Sequence, residues 1–277
     1  MPKAISQDAL ETYRRDGYYY PMPVFSPDEV ARYRRCLEEH EARVGHPLQG
    51  NYRHKAHLLF TWVDEIVHHP KILDTAEDVL GPNVLCWATN FFIKEANSPG
   101  FVSWHQDAFY WGLSKDEVMT AWVALSPANL ETGCMKFIPG SHLQDHLKHV
   151  DTFHKDNLLS RGQEIAVKVD EAKAVNCILD PGEISLHHVK LVHGSEPNRS
   201  TDRRIGLAIR FIPTSVRQLK ARDSAMLVRG VDRYHNFDPE PRPKHDLDEA
   251  AMAAHADAVG RQIKALYSGT DKQEFRA

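Results

Sequence analysis

A chain of 277 residues with 42 % hydrophobic and 26 % charged residues has the balance of a globular protein and the length to bury a large core. Its net charge of −4 argues against a general nucleic-acid binder, and no apolar run has the length of a membrane span or the form of a secretion signal. Cys36, Cys86, Cys134 and Cys177 are widely spaced with no CxxC, which predicts free thiols in a reducing, cytoplasmic setting rather than a disulfide scaffold.

Residues 7–15 read as a short helix with Leu10 and Tyr13 facing inward. A second helix starts with Ser26 as N-cap, Pro27 at the first helical position and Glu29 completing a capping box, and runs to about residue 42. Phe25 and Val30 form its hydrophobic staple. A third helix spans 71–80 and stops at Gly81-Pro82. Strand signals then dominate, over 84–95, 118–125, 135–138, 164–169, 175–179, 183–193 and 204–212. Many short strands separated by turn residues predict a sandwich or barrel. Residues 215–244, basic and proline-containing, read as a lid or an oligomer contact. Residues 247–267 read as an amphipathic helix through Met252, Val259, Ile263 and Leu266. The expected organisation is one domain over 1–277: a helical part over about 1–82, a β core over 83–215 and a C-terminal lid or helix over 216–277. No internal repeat is present.

Two distant segments carry the chemistry: Trp104-His105-Gln106-Asp107, and His193-Gly194-Ser195 followed by Arg204. Two histidines and one carboxylate occupy one face of an octahedral metal and leave open positions, the arrangement of non-haem Fe(II) oxygenases. His-x-Asp occurs four times, at His105, His149, His154 and His255, so context has to select. His105 and Asp107 lie in a strand entering a loop, where residues two apart point the same way. His255 and Asp257 lie on a helix, where they diverge, and His149 and His154 sit in a polar run. Asp180-Pro181-Gly182 is a turn, and residues 204–212 form an apolar strand of period two. If strands 183–193 and 204–212 form a hairpin, Ser195 lies beside Arg204, and Arg204, Gly206, Ala208 and Arg210 share a face with room for a ligand. An arginine entering an apolar strand needs a partner when buried, and a dicarboxylate co-substrate supplies one. Phe109, Tyr110 and Trp111 follow the metal motif directly and are candidate pocket walls. Arg53, His54, Lys55 and His57 form a basic cluster that reads first as a solvated loop and second as a clamp for an anion. His187 and His188 read as packing or surface histidines, and His142 as a turn residue.

These motifs join others: Asp16-Gly17-Tyr18-Tyr19-Tyr20, Val24-Phe25-Ser26-Pro27-Asp28-Glu29-Val30, Trp122-Val-Ala-Leu, the Gly-Cys-Met-Lys-Phe-Ile-Pro-Gly-Ser-His run from Gly133 to His142, and Pro181-Gly182-Glu183. In this combination, over about residues 8–215, the chain resembles the phytanoyl-CoA dioxygenase superfamily of Fe(II)/2-oxoglutarate oxygenases. The resemblance implies a mainly β protein with flanking helices, built on a double-stranded β-helix, the jelly-roll of cupin-like proteins. It implies iron on His105, Asp107 and His193, and Arg204 with Ser195 on the distal carboxylate of 2-oxoglutarate. Gln106 and Trp122 would line the co-substrate pocket. The cofactors implied are Fe(II), 2-oxoglutarate and O₂, and the reaction is hydroxylation of a C–H bond with release of succinate and CO₂. Related halogenases replace the metal carboxylate by a small residue, so Asp107 favours hydroxylation, while desaturation, epoxidation and ring formation share the same oxidant.

Tyr110 and Trp111, with positive charge from Arg53, Lys55 and Arg210, predict a small polar substrate bearing an anionic group rather than a long acyl chain. The partner expected is a small molecule, with neither nucleic acid nor membrane, and the sequence sets no oligomeric state. The rival readings are a cupin-like metalloenzyme that does not use 2-oxoglutarate, a non-catalytic ligand-binding relative, and a zinc hydrolase, for which no general base accompanies the ligands.

Overall fold

The computed structural model describes residues 2–267. Helix α1 (Gln7–Asp16) begins where the Ser6 side chain accepts the Ala9 N–H and ends at Gly17, whose φ of 85° is the left-handed conformation glycine favours. Strand β1 (Tyr18–Pro23) leads into helix α2 (Pro27–Val44), which opens with the capping box the sequence predicts: Ser26 Oγ accepts from Glu29 N, and Glu29 Oε2 accepts from Ser26 N at 2.8 Å. Helix α3 (Thr61–Val67) has no counterpart in the sequence reading, and α4 (Pro70–Leu80) matches the predicted third helix.

The strands follow: β2 (Val84–Lys94), β3 (Val102–His105), then the short helix α5 (Ala108–Trp111), β4 (Met119–Ala124), β5 (Met135–Phe137), β6 (His149–Asp151) and β7 (Gln163–Ile165). After them come β8 (Val175–Cys177), β9 (Glu183–His188), β10 (His193–Ser195), β11 (Arg204–Pro213), β12 (Ser224–Arg229), β13 (Asp238–Pro239) and helix α6 (Glu249–Leu266). Seven strands form one sheet in the order β1-β9-β4-β11-β2-β12-β13, and four form a second, β3-β10-β5-β8. Strands β6 and β7 make a separate ribbon. This is the β sandwich of a jelly-roll, cupin-like fold.

The period of two in β11 assigns its faces. Ile205, Leu207, Ile209 and Phe211 join the cluster that includes Leu37, Phe60, Ile66 and Ile72 from the helical front. Burying each such side chain contributes about 1.5–3 kcal/mol. The opposite face, with Arg204, Gly206, Ala208 and Arg210, looks toward the smaller sheet. Trp122, Ala124 and Ala208 of the large sheet pack there with Met135, Phe137 and Cys177 of the small one.

Three expectations are corrected. Residues 183–193 are not one strand: the chain turns at Val189 and Lys190, where Leu191 N–H donates to His188 O, and passes from the large sheet to the small one. Strands β10 and β11 therefore do not form a hairpin. Residues 215–244 do not stand apart as a lid, because β12 pairs with β2, Met226 against Cys86 and Leu227 against Leu85. Helix α6 buries a stripe of Ala251, His255, Ala258, Val259, Gln262 and Ala265, and leaves Met252 40 % exposed. The stripe is set by His255, whose Nε2 lies 2.9 Å from His54 O. The predicted C-terminal part beyond 267 lies outside the described residues. No described helix is long and apolar enough to cross a membrane.

Candidate active site

His105 ends β3, Asp107 follows it before α5, and His193 begins β10, paired in register with His105. Their donor atoms all lie within 4.8 Å of one another, and all three residues are buried. The hydrogen bonds decide which nitrogens face the cluster. His105 Nδ1 sits 2.9 Å from Ser103 O and 3.0 Å from His193 O, and His193 Nδ1 sits 2.9 Å from Leu191 O. Carbonyl oxygens only accept, so both Nδ1 atoms carry a proton, and the Nε2 atoms are the ones left to face the cluster. His105 Nε2 faces Asp107 Oδ1 across 3.3 Å. Burial pushes the Asp107 carboxyl up, but the contact with His105 and the charge of Arg210 outweigh it and hold it well below the usual carboxylate range. Burial and the neighbouring His105 push the His193 imidazole down to about 4, so it stays neutral. Two imidazole nitrogens and an ionised carboxylate fit a divalent transition metal.

A cavity of about 410 Å³ between the two sheets joins this cluster to Ser195, Trp122 and Arg204. Arg204 is 1 % exposed, stands 5.4 Å from the Trp122 ring centroid and donates through Nη1 to Gly133 O at 2.6 Å. Its Nε is buried without a partner, and no carboxylate pairs with it among the described residues. Lys94, opposite Arg204 in the β11–β2 register, is equally buried. Its Nζ donates to Ser195 Oγ at 2.7 Å and to the carbonyls of Gly133 and Glu196. Burial and the charge of Arg204 push the Lys94 amine down to about 5. The buried Arg204 charge meets no carboxylate among the described residues and disfavours a second charge on Lys94, which marks this end of the cavity as an anion site.

A second, outer cavity of about 890 Å³ including its mouth shares Phe92, Asp107, Leu159 and Arg210 with the first. Trp111 lines it, as do Arg53, His54, Trp87 and Asn90. The Arg210 guanidinium lies 4.7 Å from the Trp111 ring centroid, donates to Asn90 Oδ1 and lies 3.9 Å from Asp107 Oδ2.

The structure thus brings together His105, Asp107, His193, Ser195, Arg204, Trp122, Trp111 and Arg210. Ser195 and Arg204 meet across the sandwich rather than along a hairpin. Gln106 does not line the co-substrate cavity. It follows the end of β3, and its side chain is held away from the cavity, where Nε2 donates to Lys190 O and Oε1 accepts from Leu147 N, each at 2.8 Å. Tyr110 lines neither cavity and instead lies under the Arg161 guanidinium, 4.5 Å from its ring centroid, with Asp151 and His149 as neighbours. The Phe109 side chain lies outside the described set. The basic cluster 53–57 divides. Arg53 and His54 line the outer cavity, whereas Lys55 and His57 are wholly buried on Glu240.

The sequence reading misses Lys94, which a charged residue closing the apolar run of β2 could have signalled. It also misses Thr120 and His187, which line the inner cavity and whose buried Oγ1 and Nδ1 have no hydrogen-bond partner in the structure. Their residues pair in register between β4 and β9.

The family model for phytanoyl-CoA dioxygenase (PhyH) matches residues 13–206. A probable alpha-ketoglutarate-dependent hypophosphite dioxygenase of Stutzerimonas stutzeri is 31 % identical over 159 residues, 56 % of this chain and 54 % of that protein. The 1-deoxypentalenic acid 11-beta-hydroxylase of Streptomyces arenae is 29 % identical over 163 residues, 55 % of this chain and 57 % of that one. The chain spans little more than half the length of these two relatives. Among solved structures, the apo form of the non-heme monooxygenase ThoJ superposes with a TM-score of 0.82 at 38 % identity, covering 94 % of this chain and 97 % of that one. Because the family model spans most of its length, the chain belongs to the phytanoyl-CoA dioxygenase (PhyH) family.

Proposed function

We propose that the protein is a non-haem Fe(II)/2-oxoglutarate-dependent dioxygenase that hydroxylates a C–H bond of a small, polar or anionic metabolite and releases succinate and CO₂. The observation that carries this reading is one cavity with a three-donor metal group at one end and, at the other, a buried arginine that meets no carboxylate among the described residues. His105, Asp107 and His193 would hold the iron. Arg204 would take the distal carboxylate of 2-oxoglutarate, with Ser195 and Lys94 beside it and Trp122 forming the wall. Bound iron and 2-oxoglutarate together supply, with O₂, the oxidising power that an unactivated C–H bond demands.

The chain's own residues do the positioning. Ser103 O, His193 O and Leu191 O fix the imidazole tautomers so that Nε2 faces the metal position. Arg204 offers a planar fork that matches a carboxylate, and its burial keeps water from competing for it. Asp107 supplies the third donor, which supports hydroxylation over halogenation. A metalloenzyme that dispenses with a dicarboxylate would leave Arg204 without an anion. The whole chain acts as one oxygenase unit in the cytoplasm, a location supported by four unpaired cysteines.

Anaerobically purified protein supplied with Fe(II), 2-oxoglutarate and then O₂ tests the proposal. Wild type should release succinate in an iron-dependent way, and His193→Ala should not. Succinate release no faster than from iron in buffer, across a panel of candidate substrates, would sink the reading.

A further inference from the structure

The outer cavity has a charge that the co-substrate does not use. Arg53 and Arg210 are its cations, and Asp107 is the one acid among its described lining residues. Arg210 is 7 % exposed. One of its nitrogens is taken by Asn90 and another lies 3.9 Å from Asp107, but its Nε is buried without a partner. Under the oxygenase reading Asp107 is committed to the metal, which leaves the guanidinium short of an anion. His54 adds no charge, because burial and the charges of Arg210 and Arg53 push its imidazole down to about 3. Much of the remaining wall is flat and apolar, with Trp87, Trp111, Phe92 and Leu159.

We infer that the outer cavity binds an organic anion with a compact, ring-sized apolar body, its anionic oxygens on Arg210 and its body against Trp111 and Trp87. The binding rests on Asp107 serving the metal, and calling the ligand the substrate rests further on the oxygenase reading. Arg210 lies beside Asp107, so the C–H presented to the metal face is one near the anionic group. Arg53 provides a second positive charge in the same cavity, so a dianion such as a phosphonate is held at least as well as a carboxylate.

The probes are 2-naphthoate and 2-naphthamide, which share a body and differ in charge. Each is titrated into the full chain loaded with Ni(II) and saturating 2-oxoglutarate, which occupies Arg204 and permits no turnover. Fluorescence of Trp87 and Trp111, backed by calorimetry, reads binding. The acid should bind about tenfold tighter than the amide or better, as one charge-assisted contact provides. Arg210→Met should erase that difference and leave amide binding in place, which also shows that the variant is folded. The comparison on wild type needs no variant at all. Equal affinity for acid and amide, binding of neither, or a preference that survives Arg210→Met overturns the proposal. Failure of the oxygenase reading would appear separately, as a retained acid preference without iron-dependent succinate release.

Discussion

Replacing Glu240 by Gln removes the counter-charge from a buried ammonium while keeping the shape of the side chain. Lys55 Nζ donates to Glu240 Oε1 at 2.5 Å, Trp87 O at 2.7 Å and Ser224 O at 2.9 Å, and the two charged side chains are 0 % and 3 % exposed. Lys55 itself has a φ of 46°, an uncommon conformation for a residue other than glycine, and its side chain has to stay in place to hold it. Breaking a buried pair by removing one partner costs about 3–5 kcal/mol. The pH dependence gives a second estimate. Burial pushes the Glu240 carboxyl up, but Lys55 and His57 more than offset this and bring it from 4.5 to about 2. A depressed carboxyl contributes stability that is complete above its unfolded value and is lost as pH falls through the folded one. The window is therefore pH 4.5 down to about 2. The shift amounts to about 3 kcal/mol, in line with the first figure. At about 2–3 °C per kcal/mol, Glu240→Gln should lower Tm at neutral pH by roughly 6–15 °C. It should also flatten the loss of stability below pH 4.5. Scanning calorimetry of wild type, Glu240→Gln and the double variant Lys55→Met/Glu240→Leu decides the matter, with the double variant recovering most of the loss. A drop of less than 2 °C in Glu240→Gln would refute the reasoning, because Lys55 would then not depend on that charge.

Other perturbations test the site directly. His193→Ala should abolish Fe(II) binding in metal analysis after anaerobic reconstitution, while His154→Ala and His255→Ala keep the wild-type stoichiometry. Arg204→Ala should raise the KM for 2-oxoglutarate by about 10- to 100-fold with metal content intact, and Lys94→Met should raise it in the same direction, both read by succinate release. Gly206→Ala would set a Cβ 1.8 Å from Trp122 Cζ2. It should cost about 1–3 kcal/mol in urea unfolding and weaken co-substrate binding as the indole is displaced. Gln106→Ala should cost about 1–3 kcal/mol by stranding Leu147 N–H and Lys190 O, yet leave metal binding unchanged.

Local rules carry some of the architecture and not the rest. The caps of α1 and α2 depend on neighbouring residues and are legible in sequence. His105 and Asp107 are also legible as partners, but strand period does not explain it: β3 ends at His105, and Asp107 has helical backbone angles ahead of α5. The change of sheet after His188 is not legible, because Leu191-Val192-His193 continues the alternation of β9 and nothing local distinguishes a crossing from a continuation. Lys94 escapes notice because a charged residue at a strand end usually reaches water. Lys55 and His57 sit in a hydrophilic run, and the carboxylate that buries them stands 185 positions from Lys55 along the chain. Gln106 shows that neighbouring a ligand pair in sequence does not place a side chain in the cavity.

The crossing of the chain between His188 and His193 divides the site between two sheets. His105, His193 and Ser195 ride on the smaller one, while Arg204, Lys94 and Trp122 ride on the larger. Lys94 ties the halves, lying opposite Arg204 on its own sheet and donating to Ser195 on the other. A dicarboxylate held between the metal group and Arg204 would act as a strut, and the gap between the sheets would act as a caliper for its length. Chain-length selectivity among dicarboxylates then becomes a property of the packing between the sheets. Phe137, Cys177 and Ala124, which line neither cavity, would set it as spacers.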